Sequence, residues 1–207
     1  YGLGADAFMP DAVREIFRIK GRPNDNPLIV HVFSPEQIED VAQDISPLAR
    51  KLMQSFMPGA LTLVLKKKKG VPDCVTAGLP TVGVRMPSNP VCRKFLRACA
   101  RPICAPSANT STKPSPTTAM HVWNDLNGKI PYVLDGGSCE IGLESTILDV
   151  SSDVPKLLRQ GGIPKEELER VCGMSVPVQA GGTVALCPGM KYKHYAPKAK
   201  IMLVHAS

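Results

Sequence analysis

Lys20-Gly-Arg-Pro-Asn-Asp-Asn-Pro-Leu-Ile-Val-His-Val32 joins an amphipathic segment to an apolar one, and its reading sets how the chain alternates. Upstream, Pro10 to Ile19 carries Val13, Ile16 and Phe17 at the i, i+3, i+4 spacing of a buried helix face. Gly21 permits the left-handed backbone that ends a helix, and Pro23 forbids its continuation. Leu28 to Phe33 is then a short run rich in β-branched residues, which predicts a strand. Lys20 and Arg22 are left at a helix-to-strand corner where a phosphate or carboxylate can sit. The same residues also terminate helices that bind nothing. His31 fits either a satisfied core residue or a ligand contact, since imidazole donates and accepts at once.

Working outward, Ser34-Pro35-Glu36-Gln37 reads as a capping box with proline at the first helical position, and Ile38, Val41, Ala42 and Ile45 continue an apolar helix face. Ser46-Pro47 starts another helix with Leu48 and Leu52. Ala60 to Leu65 predicts a strand, followed by Lys66 to Lys69 as a solvated turn guarding an edge or as a contact for nucleic-acid phosphates. Thr81 to Pro87 alternates as a strand carrying Arg85. Asn89-Pro90 caps a helix with Cys92, Phe95, Leu96 and Cys99 on its stripe, and Pro102 to Ala105 is a short strand.

Pro106 to Thr112 packs hydroxyls and an amide together, a pattern that bonds either local backbone or a ligand. Ser115-Pro116 is expected to cap a helix through Met120, Val122, Trp123 and Leu126. Strands are predicted at Tyr132 to Leu134, ending at the turn Asp135-Gly-Gly137, and at Ile147 to Val150. Arg159 precedes a double glycine where backbone can approach a ligand closely. Pro164 to Val171 is the last predicted helix. Residues 174–200 read as an extended linker, and Ile201 to Val204 as the first strand of something further.

The 207 residues suit one generous domain or one domain plus part of another. With 43% hydrophobic and 21% charged residues the composition is globular. No apolar run approaches the roughly 18–20 residues of a membrane span, and the first residues lack a signal-peptide pattern. No membrane is expected as a partner. Seven scattered cysteines without a C-x-x-C pair suggest neither a disulfide framework nor a zinc site, and are expected to stay reduced inside a cell, in the cytoplasm. The net charge of +7 favours polyanionic partners, nucleotides or RNA. Aromatic residues at 5% argue against a stacking surface for single-stranded RNA. Twenty prolines, about twice average usage, imply short stiff loops.

Neither standard phosphate loop is present, nor a metal-ligand cluster or a nucleophile elbow. What remains is a set of cations and hydroxyls at strand ends: Lys20, Arg22, Arg85, Ser107, Ser145 and Arg159. If these converge, the pocket suits a nucleotide and a small acid.

In that order the chain resembles the threonylcarbamoyl-AMP synthase family, with its YrdC-like domain. The resemblance is carried by Tyr1-Gly-Leu-Gly-Ala-Asp6, Lys20-Gly-Arg-Pro23, Asn26-Pro-Leu-Ile-Val-His31, Pro58-Gly-Ala-Leu-Thr62, Val84-Arg-Met-Pro87, Ala105-Pro-Ser-Ala-Asn109, Glu144-Ser-Thr146, Leu158-Arg159 and Gly189 through His194-Tyr-Ala-Pro197. The last of these is similar to the linker of the longer, two-domain branch. The resemblance implies an α/β fold, an open twisted mixed sheet flanked by helices with a concave basic cavity.

It divides the chain into a catalytic domain at 1–173, a linker at 174–200 and the start of a C-terminal domain at 201–207. It also implies a Pro-Thr-Glu-Thr-Val segment ahead of Tyr1, and a serine where Cys187 stands. The implied reaction makes threonylcarbamoyl-adenylate and pyrophosphate from L-threonine, bicarbonate and ATP. The product passes to the transferase machinery that modifies tRNA.

By position, Arg22, Asn26, Thr81, Ser107, Ser115, Arg159 and Tyr195 are implied ATP contacts, and His31, Arg85, the Ala105 backbone and Ser145 threonine contacts. Lys20 and Arg22 are the expected catalytic cations, with Mg²⁺ bridging phosphates and no metal held by the protein itself. Two other readings use the same residues: a non-catalytic RNA-binding or ribosome-associated module on the same basic face, and a carbamoyl-transfer domain, which the His-Tyr-Ala-Pro linker disfavours.

Overall fold

The structure, a computed structural model, describes residues 1–179, 185–190 and 202. Its centre is a mixed sheet built from β1 (Ala5–Asp6), β2 (Ile29–His31), β3 (Ala42–Gln43), β4 (Leu61–Lys67), β5 (Thr81–Arg85), β6 (Ile103–Cys104), β7 (Thr146–Asp149) and β8 (Lys156–Arg159). The order is β1-β6-β2-β5-β4-β7-β8, with β3 paired to β4 at its far end. The pairs β2–β5 and β4–β7 are parallel and the others antiparallel. Parallel neighbours require crossovers. The helices α1 (Pro10–Lys20), α2 (Pro47–Phe56), α3 (Asp73–Thr76), α4 (Pro90–Cys99), α5 (Ala119–Leu126) and α6 (Lys165–Cys172) occupy the connections and the flanks.

Strand β4 shows how the two faces of the sheet differ. Leu61, Leu63 and Leu65 alternate into the main core with Val13, Ile16 and Phe17 of α1 and Ala49 and Leu52 of α2. Val64, on the opposite face, packs with Ile29, Ile147, Leu158 and Cys187. Because both faces are covered, β4 reads as an unbroken apolar run. Truncating one of its buried leucines to alanine costs about 2–5 kcal/mol. Helix α1 stops as its sequence requires: Gly21 adopts φ +59, its N–H bonds the Arg18 carbonyl, and the Arg22 N–H returns to the Phe17 carbonyl.

Four expected elements differ from the structure. Ser34 Oγ accepts from the Gln37 N–H, but Gln37 Oε1 accepts from the Phe33 N–H and not from that of Ser34 as a capping box requires, and only a 3₁₀ turn follows, Glu36–Asp40. The Lys68 N–H bonds the Val41 carbonyl, and Ala42–Gln43 are drawn onto β4 as β3. Lys66 and Lys67 therefore lie within β4, between β3 and β5, and guard no edge. Lys66 pairs with Asp44 and Lys67 with Asp73, while Lys68 donates to the Glu39 carbonyl.

Tyr132 to Leu134 is no strand: Tyr132 is 89% exposed and only Val133 packs inward, against α5. The helix expected from Ser115 begins at Ala119, where Thr118 Oγ1 caps it by accepting from the His121 N–H. On α4, Leu96 is buried, whereas Phe95 is 42% exposed.

Residues 177–179 add to β8 through bonds between Leu157 and both Pro177 and Gln179. The strand expected at Ile201 to Val204 lies outside the described residues, apart from Met202.

Candidate functional site

Lys20 is the last residue of α1 and points inward, 4% exposed. Its ammonium donates to the backbone carbonyls of Ser107 and Asn109, while its own carbonyl accepts from the Ser111 N–H at 2.9 Å. The helix end and the hydroxyl-rich loop are thus stitched together by three bonds. Burial, and Arg22 beside it, push the Lys20 ammonium down to about 8, and the carboxylates of Asp125 and Glu144 partly restore it. Asp125 of α5 holds the loop from the other side, accepting from the Thr110 N–H and hydroxyl and from the Lys113 ammonium.

Arg22 turns back over its own loop. Its Nη2 donates to the carbonyls of Asn26 and Pro27, both at 3.1 Å, and its guanidinium lies 5.8 Å from the Phe17 ring centroid. Asn26 is buried, and its Oδ1 has no hydrogen-bond partner among the described residues. The same holds for Oδ1 of Asn109, whose amide nitrogen donates to Thr110 and Lys113 carbonyls. Buried amide oxygens without partners are rare in folded proteins. These two acceptors suit a ligand's donor groups, such as amine or hydroxyl.

Register places the remaining residues in a row across the sheet. His31 on β2 is the direct partner of Arg85 on β5, Arg85 of Thr62 on β4, and Thr62 of Ile147 on β7. Direct partners share a face. His31 also pairs with Ile103 of β6, two residues before Ala105, whose N–H bonds the Ile29 carbonyl at 2.9 Å. At the other end, Ser145 stands just before β7, 3% exposed, with its Oγ 2.8 Å from Thr62 Oγ1.

Burial pushes the His31 imidazole down to about 3, with the adjacent Arg85 guanidinium adding to the shift, so it is neutral at any ordinary pH. The Nδ1 atom of His31 is buried without a hydrogen-bond partner among the described residues. Arg85 Nε donates to the Gly59 carbonyl at 3.0 Å. Its own pKa is lowered by burial and by Arg159.

Arg159 ends β8 and gathers several groups. It pairs with Glu144 at 2.8 Å, donates to the Ser145 carbonyl and hydroxyl, and donates to the Pro188 carbonyl at 3.0 Å. Glu144 also accepts from Ser115 Oγ at 3.4 Å. The double glycine after Arg159 serves the protein's own backbone: a Cβ on Gly161 would sit 2.3 Å from the Glu144 carbonyl oxygen.

Residues 186–188 cover the sheet face opposite the main core and line a small cleft whose floor includes Ile29, Thr62, Thr81, Gly83 and Ile147. Cys187 is 2% exposed there and its thiol is raised to about 12 by burial, so it acts as an apolar plug.

Of the residues singled out in the sequence, the structure brings together Lys20 with Ser107, Arg22 with Asn26, and His31, Arg85, Ser145 and Arg159 with Ser115 through Glu144. Thr81 lines the cleft two residues from Gly83. Tyr195 lies outside the described residues. Three side chains at the heart of this arrangement carried no signal of their own in the sequence: Thr62, Asn109 and Glu144. Each sat inside a quoted motif, but only the fold shows what it touches.

Residues 1–161 match the family model Sua5_yciO_yrdC, described as telomere recombination. The chain belongs to the Sua5/YciO/YrdC family. Residues 163–207 match the threonylcarbamoyl-AMP synthase C-terminal domain, which places it in the two-domain branch of that family.

Curated Sua5-family relatives named threonylcarbamoyl-AMP synthase include one from Pyrococcus abyssi, 51% identical over 99% of this chain and 61% of that protein. Another, from Bacillus subtilis, is 49% identical over 100% of this chain and 61% of that protein. The chain therefore spans about three fifths of these relatives. The crystal structure of P. abyssi Sua5 complexed with L-threonine matches with a TM-score of 0.93 at 50% identity, covering 97% of this chain and 60% of that one. Escherichia coli YciO shares the fold, with a TM-score of 0.68 at 22% identity over 81% of this chain and 82% of that one.

Proposed function

We propose that the protein is a threonylcarbamoyl-AMP synthase, forming threonylcarbamoyl-adenylate and pyrophosphate from L-threonine, bicarbonate and ATP. The observation that carries this reading is the row His31, Arg85, Thr62 and Ser145. Arg159 pairs with Glu144 beside it, and Glu144 acts electrostatically on Lys20, which holds the loop of Ser107 and Asn109. The row offers a guanidinium, a neutral imidazole and hydroxyls to a small acid, and the corner carries Lys20 and Arg22. Curated relatives 51% and 49% identical to this chain carry that name.

In the reaction, the threonine amine adds carbon dioxide drawn from bicarbonate. A carbamate oxygen then bonds the α-phosphorus as the bond to the bridging oxygen breaks and pyrophosphate leaves. Charge builds on the phosphoryl group and the leaving group, so the work is positioning and electrostatic stabilisation. Arg22 faces the triphosphate with Lys20 behind it, and Asn26, Thr81, Ser107, Ser115 and Arg159 complete the ATP contacts in what would be a concave basic cavity.

Arg85 receives the threonine carboxylate on its fork, with His31, the Ala105 backbone and Ser145 around the amino acid. Tyr195 would cover the nucleotide from the linker at 174–200, between a catalytic domain at 1–173 and a C-terminal domain beginning at 201–207. Mg²⁺ would travel on the triphosphate as part of the substrate. The carboxylates bordering the site, Glu144 and Asp125, are ion-paired to Arg159 and Lys113, and no cluster of three or more metal-ligating side chains occurs among the described residues.

The adenylate would be consumed by the transferase machinery that modifies tRNA, in the cytoplasm. The test is threonine-dependent pyrophosphate release from ATP by the full-length protein, in bicarbonate and Mg²⁺, with serine as control. Release with threonine and little with serine is expected. Binding of tRNA with neither ATP nor threonine bound would overturn the reading in favour of an RNA-binding module.

A further inference from the structure

Thr62 occupies the place in the cross-sheet row between Arg85 and Ser145 that no expected role covers. It is fully buried, and it is the register partner of Arg85 on one side and of Ile147 on the other. Its hydroxyl has one hydrogen-bond partner among the described residues, Ser145 Oγ at 2.8 Å. Geometry between the two hydroxyls leaves the donor open, and among the described residues either direction leaves one hydroxyl proton without an acceptor.

Ser145 Oγ has two lone pairs and one proton. Arg159 Nη2 donates into one lone pair at 3.2 Å. Were Ser145 to donate to Thr62, the Thr62 proton would have no acceptor among the described residues and Ser145 would have no proton to give a ligand. With Thr62 as donor, both lone pairs of Ser145 are filled and its own proton is left over. That proton has no acceptor among the described residues. A carboxylate or carbamate oxygen bound beside Ser145 and Arg85 accepts it, and with that oxygen in place Thr62 as donor is the direction that gives both hydroxyl protons an acceptor.

We infer that Thr62 is a positioning residue that fixes the Ser145 hydroxyl as a hydrogen-bond donor toward the carboxylate or carbamate oxygen of the bound amino acid. This rests on the threonine site proposed above. An apolar residue at 62 would free a lone pair on Ser145, let its hydroxyl rotate, and lose the directed donor without opening a cavity.

The test is the pair Thr62→Val and Thr62→Ser in the full-length protein, with threonine and ATP affinities measured separately by calorimetry. Valine keeps the branched shape and suits a strand, so folding should persist. The expected result is a loss of threonine affinity of roughly tenfold to a hundredfold in Thr62→Val, the range for one hydrogen bond to a charged group. ATP affinity should stay within about twofold, and Thr62→Ser should restore threonine binding.

Adding Thr62→Val to Ser145→Ala should cost little more than Ser145→Ala alone, since the two act through one hydroxyl. Unchanged threonine affinity in Thr62→Val overturns the inference while leaving the synthase reading intact. Should that variant not fold, Ser145→Ala decides: wild-type threonine affinity there overturns the inference. If the wild-type protein binds ATP but no threonine, the proposed function fails and this inference with it.

Discussion

Arg159 Nη1 lies 2.8 Å from Glu144 Oε2, and the same guanidinium donates to the Ser145 carbonyl, the Ser145 hydroxyl and the Pro188 carbonyl. One planar fork therefore ties the segment ahead of β7 to residues 186–188. Lysine offers a point charge on a flexible stem in its place. Arg159→Lys is expected to lower unfolding free energy by about 1–3 kcal/mol, the range for losing charge-assisted hydrogen bonds at a half-buried site. Urea denaturation measures this. Stability equal to wild type would mean that the fork is not closed in solution.

Gly161 is where β8's continuation presses on the backbone of Glu144, Ser145 and Thr146. A Cβ there would stand 2.3 Å from the Glu144 carbonyl oxygen and 2.5 Å from the Thr146 nitrogen, and neither can swing aside as a side-chain tip can. Gly161→Ala is expected to cost about 2 kcal/mol or more in stability through overpacking, and to weaken threonine binding because Ser145 moves with its backbone. Gly162→Ala is the internal comparison. Its Cβ would meet the Ala60 methyl at 3.0 Å, a contact that small shifts relieve, so a smaller loss is expected.

How much of this was legible in the sequence follows from how local each signal is. The end of α1 is written in Gly21 and Pro23 and formed where expected, because a helix cap involves only its own turn. The Ser34 to Gln37 segment keeps half of the expected capping box, the Ser34 hydroxyl bond to the Gln37 N–H, and does not start the helix expected there. What overrode it is a pairing with β4 that lies well downstream. Two-residue β3 has no period to detect.

The same limit hid Thr62: in sequence it is one hydroxyl in an apolar run, and only register sets it beside Arg85. Glu144 and Asn109 were inside quoted motifs, yet their chemistry depends on Arg159 and Lys20, which reach them from other elements. The Lys66 to Lys69 run reads as a surface patch, but Lys66, Lys67 and Lys68 each have a partner.

His31 gives a pH signature. Its pKa in the fold is lowered to about 3 by burial and by Arg85, whereas an unfolded histidine titrates near about 6.5. Between those values the unfolded chain holds the extra proton, so stability falls as pH drops from about 6.5 toward 3 and is independent of this group above it. At pH 5 the contribution reaches at most about 2 kcal/mol. Urea denaturation at pH 7 and pH 5 should show a larger loss in wild type than in His31→Gln. Equal losses would place the imidazole in contact with water.

Gly83 tests whether the cleft is where ligand lies, and it does so with two effects of opposite sign. It sits in the middle of β5 between Thr81 and Arg85, on the cleft floor. A Cβ there would meet Thr62 Cγ2 at 3.5 Å and Ile29 Cγ1 at 3.7 Å, which is ordinary contact. Nothing in the packing therefore demands glycine, and glycine inside a strand costs roughly 0.5–1 kcal/mol relative to alanine. Gly83→Ala should raise thermal stability by a few degrees, since its one methyl fits and the unfolded chain loses freedom. That methyl would stand on the floor of the cleft, so affinity for ATP and threonine should fall. A more stable protein that binds both ligands as before would move the binding site off this face of the sheet.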